Sequence, residues 1–172
     1  MTASATVAEF LNRNVPLFHT FPAEKLEQIV KKSRVTTIEP NEAVVEFGAE
    51  GRFLGVILDG EAEASVVDDS GERHRLSVMK AGDVFGEISL MTGDRTTADV
   101  IGMTRCKVLL VPQELFSTIV ATHMPAIRYL SKIISERSKK SGEKDHQLAD
   151  AAFRRSEDPY GLTLKTDEPM KI

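Results

Sequence analysis

The sequence predicts a mainly β domain with helices on both flanks, in the form of an antiparallel sandwich or barrel. Three observations predict it. Between about residues 35 and 111, short runs rich in Val, Ile and Leu are separated by Asn41, Gly48, Gly60, Gly71, Gly82, Gly93 and Gly102, at gaps of seven to twelve residues. Asp59-Gly60 and Asp69-Ser70-Gly71 supply turn chemistry between them. Apolar residues at helical spacing lie before and after this region.

Residues 1–34 read as helical. Thr6 and Glu9 form a capping box, Val7, Phe10 and Leu11 make a short apolar stripe, and Asn12 to Asn14 with Pro16 stop it. A second helix starts near Pro22, with Leu26, Ile29 and Val30 on one face and Glu27 four residues before Lys31. Strands are expected at Ala43 to Phe47, Phe53 to Leu58, Ala62 to Val67, His74 to Met79 and Lys107 to Val111. Residues 112–141 return to helix. Leu115, Phe116, Ile119 and Val120 share one face, and a further helix from Pro125 carries Ile127, Leu130, Ile133 and Ile134. Its outer half is basic, with Arg137, Lys139 and Lys140 against Glu136. Residues 142–172 are expected to hold a short amphipathic segment, Leu148, Ala151, Ala152 and Phe153, and then a flexible tail with Asp158-Pro159, Gly161 and Pro169.

Composition limits the function. A chain of 172 residues with 41% apolar and 28% charged residues suits one soluble domain, or one domain and a tail. The net charge of −4 argues against a chain built to coat nucleic acid. The longest apolar run, Phe53 to Leu58, is far below the ~20 residues that span a bilayer. No secretory signal opens the chain, and Met1 points to a native start. The single cysteine, Cys106, excludes an internal disulfide and a CxxC metal clip, so a cytoplasmic compartment is expected. Cys106 between Arg105 and Lys107 reads as an ordinary strand cysteine. His19, His74, His123 and His146 are scattered and form no close ligand pair. Neither GxSxG nor GxxxxGK[ST] occurs, so no catalytic residue, metal ligand or cofactor is expected, and the chain is read as no enzyme.

The informative stretch is 82–100. A strand-like run ends at Met79, glycines follow at 82 and 86, then comes Glu87 and a brief apolar run, Ile88, Leu90 and Met91. Glycine lets a backbone approach a ligand closely, and N–H groups at a helix start favour an anion. A carboxylate beside them makes sense if it accepts hydrogen bonds from hydroxyls of the same ligand. Arg95 follows, and a guanidinium binds phosphate through two parallel N–H bonds. Together these residues suit a sugar phosphate or nucleotide.

Pro40-Asn41-Glu42, Val44-Val45, Phe47-Gly48, Leu58-Asp59-Gly60-Glu61 and, above all, Phe85-Gly86-Glu87-Ile88-Ser89-Leu90 resemble the cyclic nucleotide-binding domain family over about residues 10–140. The resemblance implies an eight-stranded jelly-roll, with helices before it and two after. It implies a ligand, cAMP or cGMP, held by Phe85, Gly86, Glu87, Ile88 and Ser89, with the Glu87 carboxylate on the ribose 2′-hydroxyl. It also implies a lid made by Ile127, Leu130, Ile133 and Ile134. The family's cassette commonly places its phosphate arginine nine residues after the glutamate. Thr96 occupies that place here, and Arg95 stands one residue early. Asp99 replaces a usual threonine and Ser89 a common alanine. Arg95, Thr96 and Thr97 are therefore the candidates for the phosphate end.

The expected function is a non-catalytic cyclic nucleotide sensor that signals by movement of its C-terminal helix. The alternative is a degenerate fold used for ligand-independent protein interaction or dimerisation, through residues 125–155. A homodimer is a candidate partner state; nucleic acid and membrane are not expected partners. The helix-turn-helix domain of catabolite-activator proteins has no counterpart in the 32 residues after Lys140.

Overall fold

The computed structural model describes residues 3–140. Helix α1 (Ala3–Asn14) is followed by a 3-10 turn at Pro16–Phe18 and by α2 (Ala23–Lys32). Thr6 lies inside α1, so the helix does not open on the expected capping box. Glu9 instead pairs with Arg13 one turn on, at 3.1 Å. Pro22 caps α2 in an extended conformation, as its fixed φ favours.

Eight strands follow: β1 (Arg34–Ile38), β2 (Ala43–Val45), β3 (Phe53–Asp59), β4 (Glu61–Val67), β5 (Arg73–Lys80), β6 (Val84–Phe85), β7 (Asp99–Gly102) and β8 (Cys106–Pro112). They form two four-stranded antiparallel sheets, ordered β1-β8-β3-β6 and β2-β7-β4-β5. The architecture is the expected jelly-roll. Three strands went unmarked in the sequence. β1 starts within the stretch read as helical, β6 has two residues, and β7 follows a polar stretch.

The first sheet is buried on both faces, which explains its imperfect alternation. Successive side chains of a strand point to opposite faces. Ile57, Phe85, Cys106, Val108 and Leu110 pack between the sheets. Leu54, Val56, Val84, Leu109 and Val111 face the other way, into a cluster with Leu11, Val15, Phe18, Leu26 and Ile29 of the N-terminal helices. A strand apolar on both faces reads as a continuous run. The Cys106 thiol is fully buried and donates to the Glu61 carbonyl, so it is the strand cysteine expected.

The chain leaves β8 through a short helix, α4 (Gln113–Leu115), which widens into a π turn at Phe116–Val120. Helix α5 (Met124–Lys140) then runs to the edge of the described residues. Its base is fixed by His123, whose Nε2 lies 2.8 Å from Thr20 Oγ1 and whose ring stacks 4.1 Å from that of Phe21. The expected segment at 148–153 and the tail lie outside the described residues. Among those described, no helix is long and apolar enough to cross a membrane.

Candidate functional site

The stretch 86–98 leaves the edge strand of the first sheet and crosses to β7, inside the second. It therefore bridges one end of the sandwich. Its start is held by aromatic packing: Phe85 is 3% exposed and meets Phe53 edge-on, with ring centroids 6.4 Å apart. The Phe85 ring also lies over Gly55, its partner in β3, where a Cβ would collide with the outer carbons of the ring.

Gly86 adopts φ +84°, a left-handed conformation, and a Cβ on it would stand 2.8 Å from the Phe53 carbonyl oxygen. That turn launches α3 (Glu87–Thr92), which ends on a second left-handed residue, Gly93. Glu87 is fully buried at the first position of α3, and Ser89 is nearly so, packed on Gly51 of the β2–β3 connection. Ile88 is half-buried. Leu90 and Met91, further along α3, rest on the helical cluster that also contains Leu130 of α5. The cassette helix and α5 thus share one apolar body.

The three candidates for the phosphate end lie in different surroundings. Arg95 is exposed, and its Nη1 donates to the Gly48 carbonyl at 2.9 Å. Thr96 is buried, and its hydroxyl donates to Glu46 O at 2.6 Å while accepting from Ala49 N–H at 3.0 Å. Its backbone closes the same joint, donating to Ala49 O and accepting from Gly48 N–H. Arg95 and Thr96 together clamp residues 46–49. Thr97 is exposed. Replacing Thr96 by valine is expected to lower stability by about 1–3 kcal/mol, the range for stranding buried hydrogen-bonding groups. Thermal unfolding read by circular dichroism checks it; a Tm unchanged within 1 °C would show that the clamp contributes nothing.

Sequence reasoning missed the network on the second sheet. Asp99 accepts from Phe47 N–H at 2.7 Å and from Arg73 Nη1 at 2.9 Å, and the same Arg73 nitrogen donates to the buried Ser65 hydroxyl at 2.8 Å. The signal was present: Asp99 departs from the residue type usual in its place. At the β4–β5 hairpin, His74 Nε2 meets Asp68 Oδ2 at 2.6 Å, so this histidine, read as isolated, has an acidic neighbour. The Ser70 hydroxyl and then His74 hold the Asp68 carboxyl well below the usual carboxylate range. Asp68, Glu72 and His74 bring one ligand atom each to within 4.8 Å of one another, but the contacts to Asp68 already serve the hairpin turn.

Of the expected lid, Leu130 is fully buried and Ile133 packs beside it, both against the N-terminal helices. Ile127 and Ile134 are half-buried.

Comparison with known proteins agrees with this geometry. The chain is similar to cGMP-dependent protein kinase 2 of Mus musculus, 24% identical over 149 residues, which cover 84% of this chain and 19% of the kinase. It spans about a fifth of that relative's length. Among solved structures it is similar to the regulatory domain of Toxoplasma gondii PKA with cAMP, at TM-score 0.69 and 22% identity, covering 77% of this chain and 50% of that one. It is also similar to the regulatory subunit of a cAMP-independent protein kinase A from Trypanosoma cruzi bound to guanosine, at TM-score 0.67 and 26% identity, covering 75% and 45%. A family model described as the cyclic nucleotide-binding domain matches residues 35–123, just over half of the sequence. With its jelly-roll fold, the chain belongs to the cyclic nucleotide-binding domain family.

Proposed function

We propose that the chain is a non-catalytic regulatory module that binds a cyclic nucleotide, cAMP or cGMP, and signals by moving α5. The observation that carries this reading is Glu87, a carboxylate held fully buried at the start of α3 directly after the left-handed Gly86. Such a group accepts hydroxyl hydrogen bonds in a low-dielectric setting, where they are strong. The Glu87 carboxylate takes the ribose 2′-hydroxyl, and the backbone of residues 86–89 approaches the phosphate. Arg95 stays on the Gly48 carbonyl and supplies no guanidinium clamp. Leu90 and Met91 pass a shift of α3 to the apolar body shared with Leu130 and Ile133, and α5 pivots near His123. The ligand moves this equilibrium only by its preference for one position of α5.

The Arg95 and Thr96 geometry favours one second reading, a neutral nucleoside, which needs no phosphate cation. The Trypanosoma cruzi relative is described as bound to guanosine. Calorimetric titration of nucleotide-free protein with cAMP, cGMP and guanosine decides between them. Micromolar binding of a cyclic nucleotide, tighter than guanosine, is expected. Guanosine binding at least tenfold tighter than cGMP would replace the first reading by the second. No heat from any of the three at millimolar concentration would overturn both, and would leave the protein-interaction module.

A further inference from the structure

Four polar side chains are buried among the described residues: Ser65, Glu87, Ser89 and Thr96. Buried hydroxyls are nearly always hydrogen-bonded, so an exception calls for an explanation. Ser65 accepts from Arg73 at 2.8 Å. Thr96 donates to the Glu46 carbonyl and accepts from Ala49 N–H. Ser89, 7% exposed, is the exception: its Oγ makes no hydrogen bond among the described residues. Serines and threonines in a helix can bond back to a carbonyl one turn earlier. Thr92, three residues further along α3, does so to the Ile88 carbonyl at 2.9 Å, whereas Ser89 makes no bond of that kind. The β2–β3 connection lies directly on Ser89, since a Cβ on Gly51 would stand 2.8 Å from Ser89 Cβ. The side chain is thus enclosed by the protein and unused by it.

The proton inventory of the cassette singles out the same residue. A phosphate needs donors. Arg95 gives Nη1 to the Gly48 carbonyl. A hydroxyl carries one proton, and Thr96 has given its own to Glu46. Thr97 is exposed. Ser89 still holds its proton, two residues after Glu87 in α3.

We propose that the Ser89 hydroxyl is a ligand-binding group, which donates its proton to the phosphate of the cyclic nucleotide where Arg95 supplies no guanidinium. The assignment rests on the cyclic nucleotide reading of the cassette, and it names the side-chain donor for the anionic end of that ligand. The bond breaks no protein hydrogen bond when it forms, so its strength appears undiminished in the affinity. Alanine, common at this place in the family, has no such donor.

Titration of Ser89→Ala with cAMP and cGMP, beside the unaltered protein, tests the proposal. A loss of about tenfold is expected for both, as for a hydrogen bond to a charged group. Two further measurements separate a ligand contact from a structural role. The phosphorus NMR resonance of bound cAMP is expected to move in the variant, while its base and ribose proton resonances stay. The Tm of the ligand-free variant is expected to equal or exceed that of the unaltered protein, because the substitution removes a buried hydroxyl that has no partner. Affinities within twofold, an unmoved phosphorus resonance, or a ligand-free Tm lower by more than 2 °C would each overturn the assignment and leave the regulatory-module reading standing. If the unaltered protein takes neither cyclic nucleotide at millimolar concentration, that reading itself falls, and the Ser89 assignment falls with it.

Discussion

Replacing Glu87 by glutamine is expected to weaken cyclic nucleotide binding about ten- to hundredfold. The substitution keeps the shape and removes the charge. Hydrogen bonds to a charged group contribute about 1.5–3 kcal/mol, and each 1.4 kcal/mol is tenfold in affinity. The effect falls on the ligand because Glu87 stands fully buried at the first position of α3, after Gly86 has turned the backbone. Calorimetric titration of Glu87→Gln beside the unaltered protein measures it, with thermal unfolding as the control for folding. Affinity unchanged within twofold would remove Glu87 from the ribose and with it the proposed pose.

Replacing Gly55 by alanine is expected to cost about 2–4 kcal/mol of stability and to loosen the cassette at once. The added Cβ collides with the outer carbons of the Phe85 ring. Overpacking a core typically costs 1–3 kcal/mol, occasionally more. Here the displaced ring is the residue that precedes Gly86, so relief of the overlap moves the turn that launches α3. A fall in Tm of roughly 5–15 °C follows for a domain of this size. A Tm within 2 °C of the unaltered protein would mean that the ring shifts freely and that the cassette is not anchored there. Glycine in the middle of β3 is thus explained by what lies above it, since its hydrogen-bonding neighbours β6 and β8 flank it on both sides.

The parts of the fold legible in the sequence were those whose pattern is local. β3 and β8 are apolar runs, β4 and β5 are strands set between the glycine turns at Gly60, Gly71 and Gly82, and α2 and α5 carry helical stripes. β6 was invisible because two residues hold no period; they are a strand only through Val56 and Gly55 of β3. β7 was invisible because Asp99 reads as a turn residue, whereas its carboxylate is satisfied by Phe47 N–H and Arg73 from distant strands. The start of α1 was misjudged because Thr6 and Glu9 match a cap pattern that helix interiors also contain by chance. In the site, the turn at Gly86 and the place of Glu87 were readable from their spacing. The direction of Arg95 was not. It depends on where the β2–β3 connection brings the Gly48 carbonyl, and no local pattern reports that. In the structure the Arg95 guanidinium donates to that carbonyl.

The central claim is that this cassette holds its nucleotide without a guanidinium on the phosphate. Titration of the Arg95→Ala variant with cAMP and cGMP, beside the unaltered protein, tests it most directly. Affinities within twofold of the unaltered protein are predicted, because the Arg95 guanidinium is bound to Gly48 and faces solvent. A loss of tenfold or more would contradict the claim and show that Arg95 leaves Gly48 to reach the phosphate.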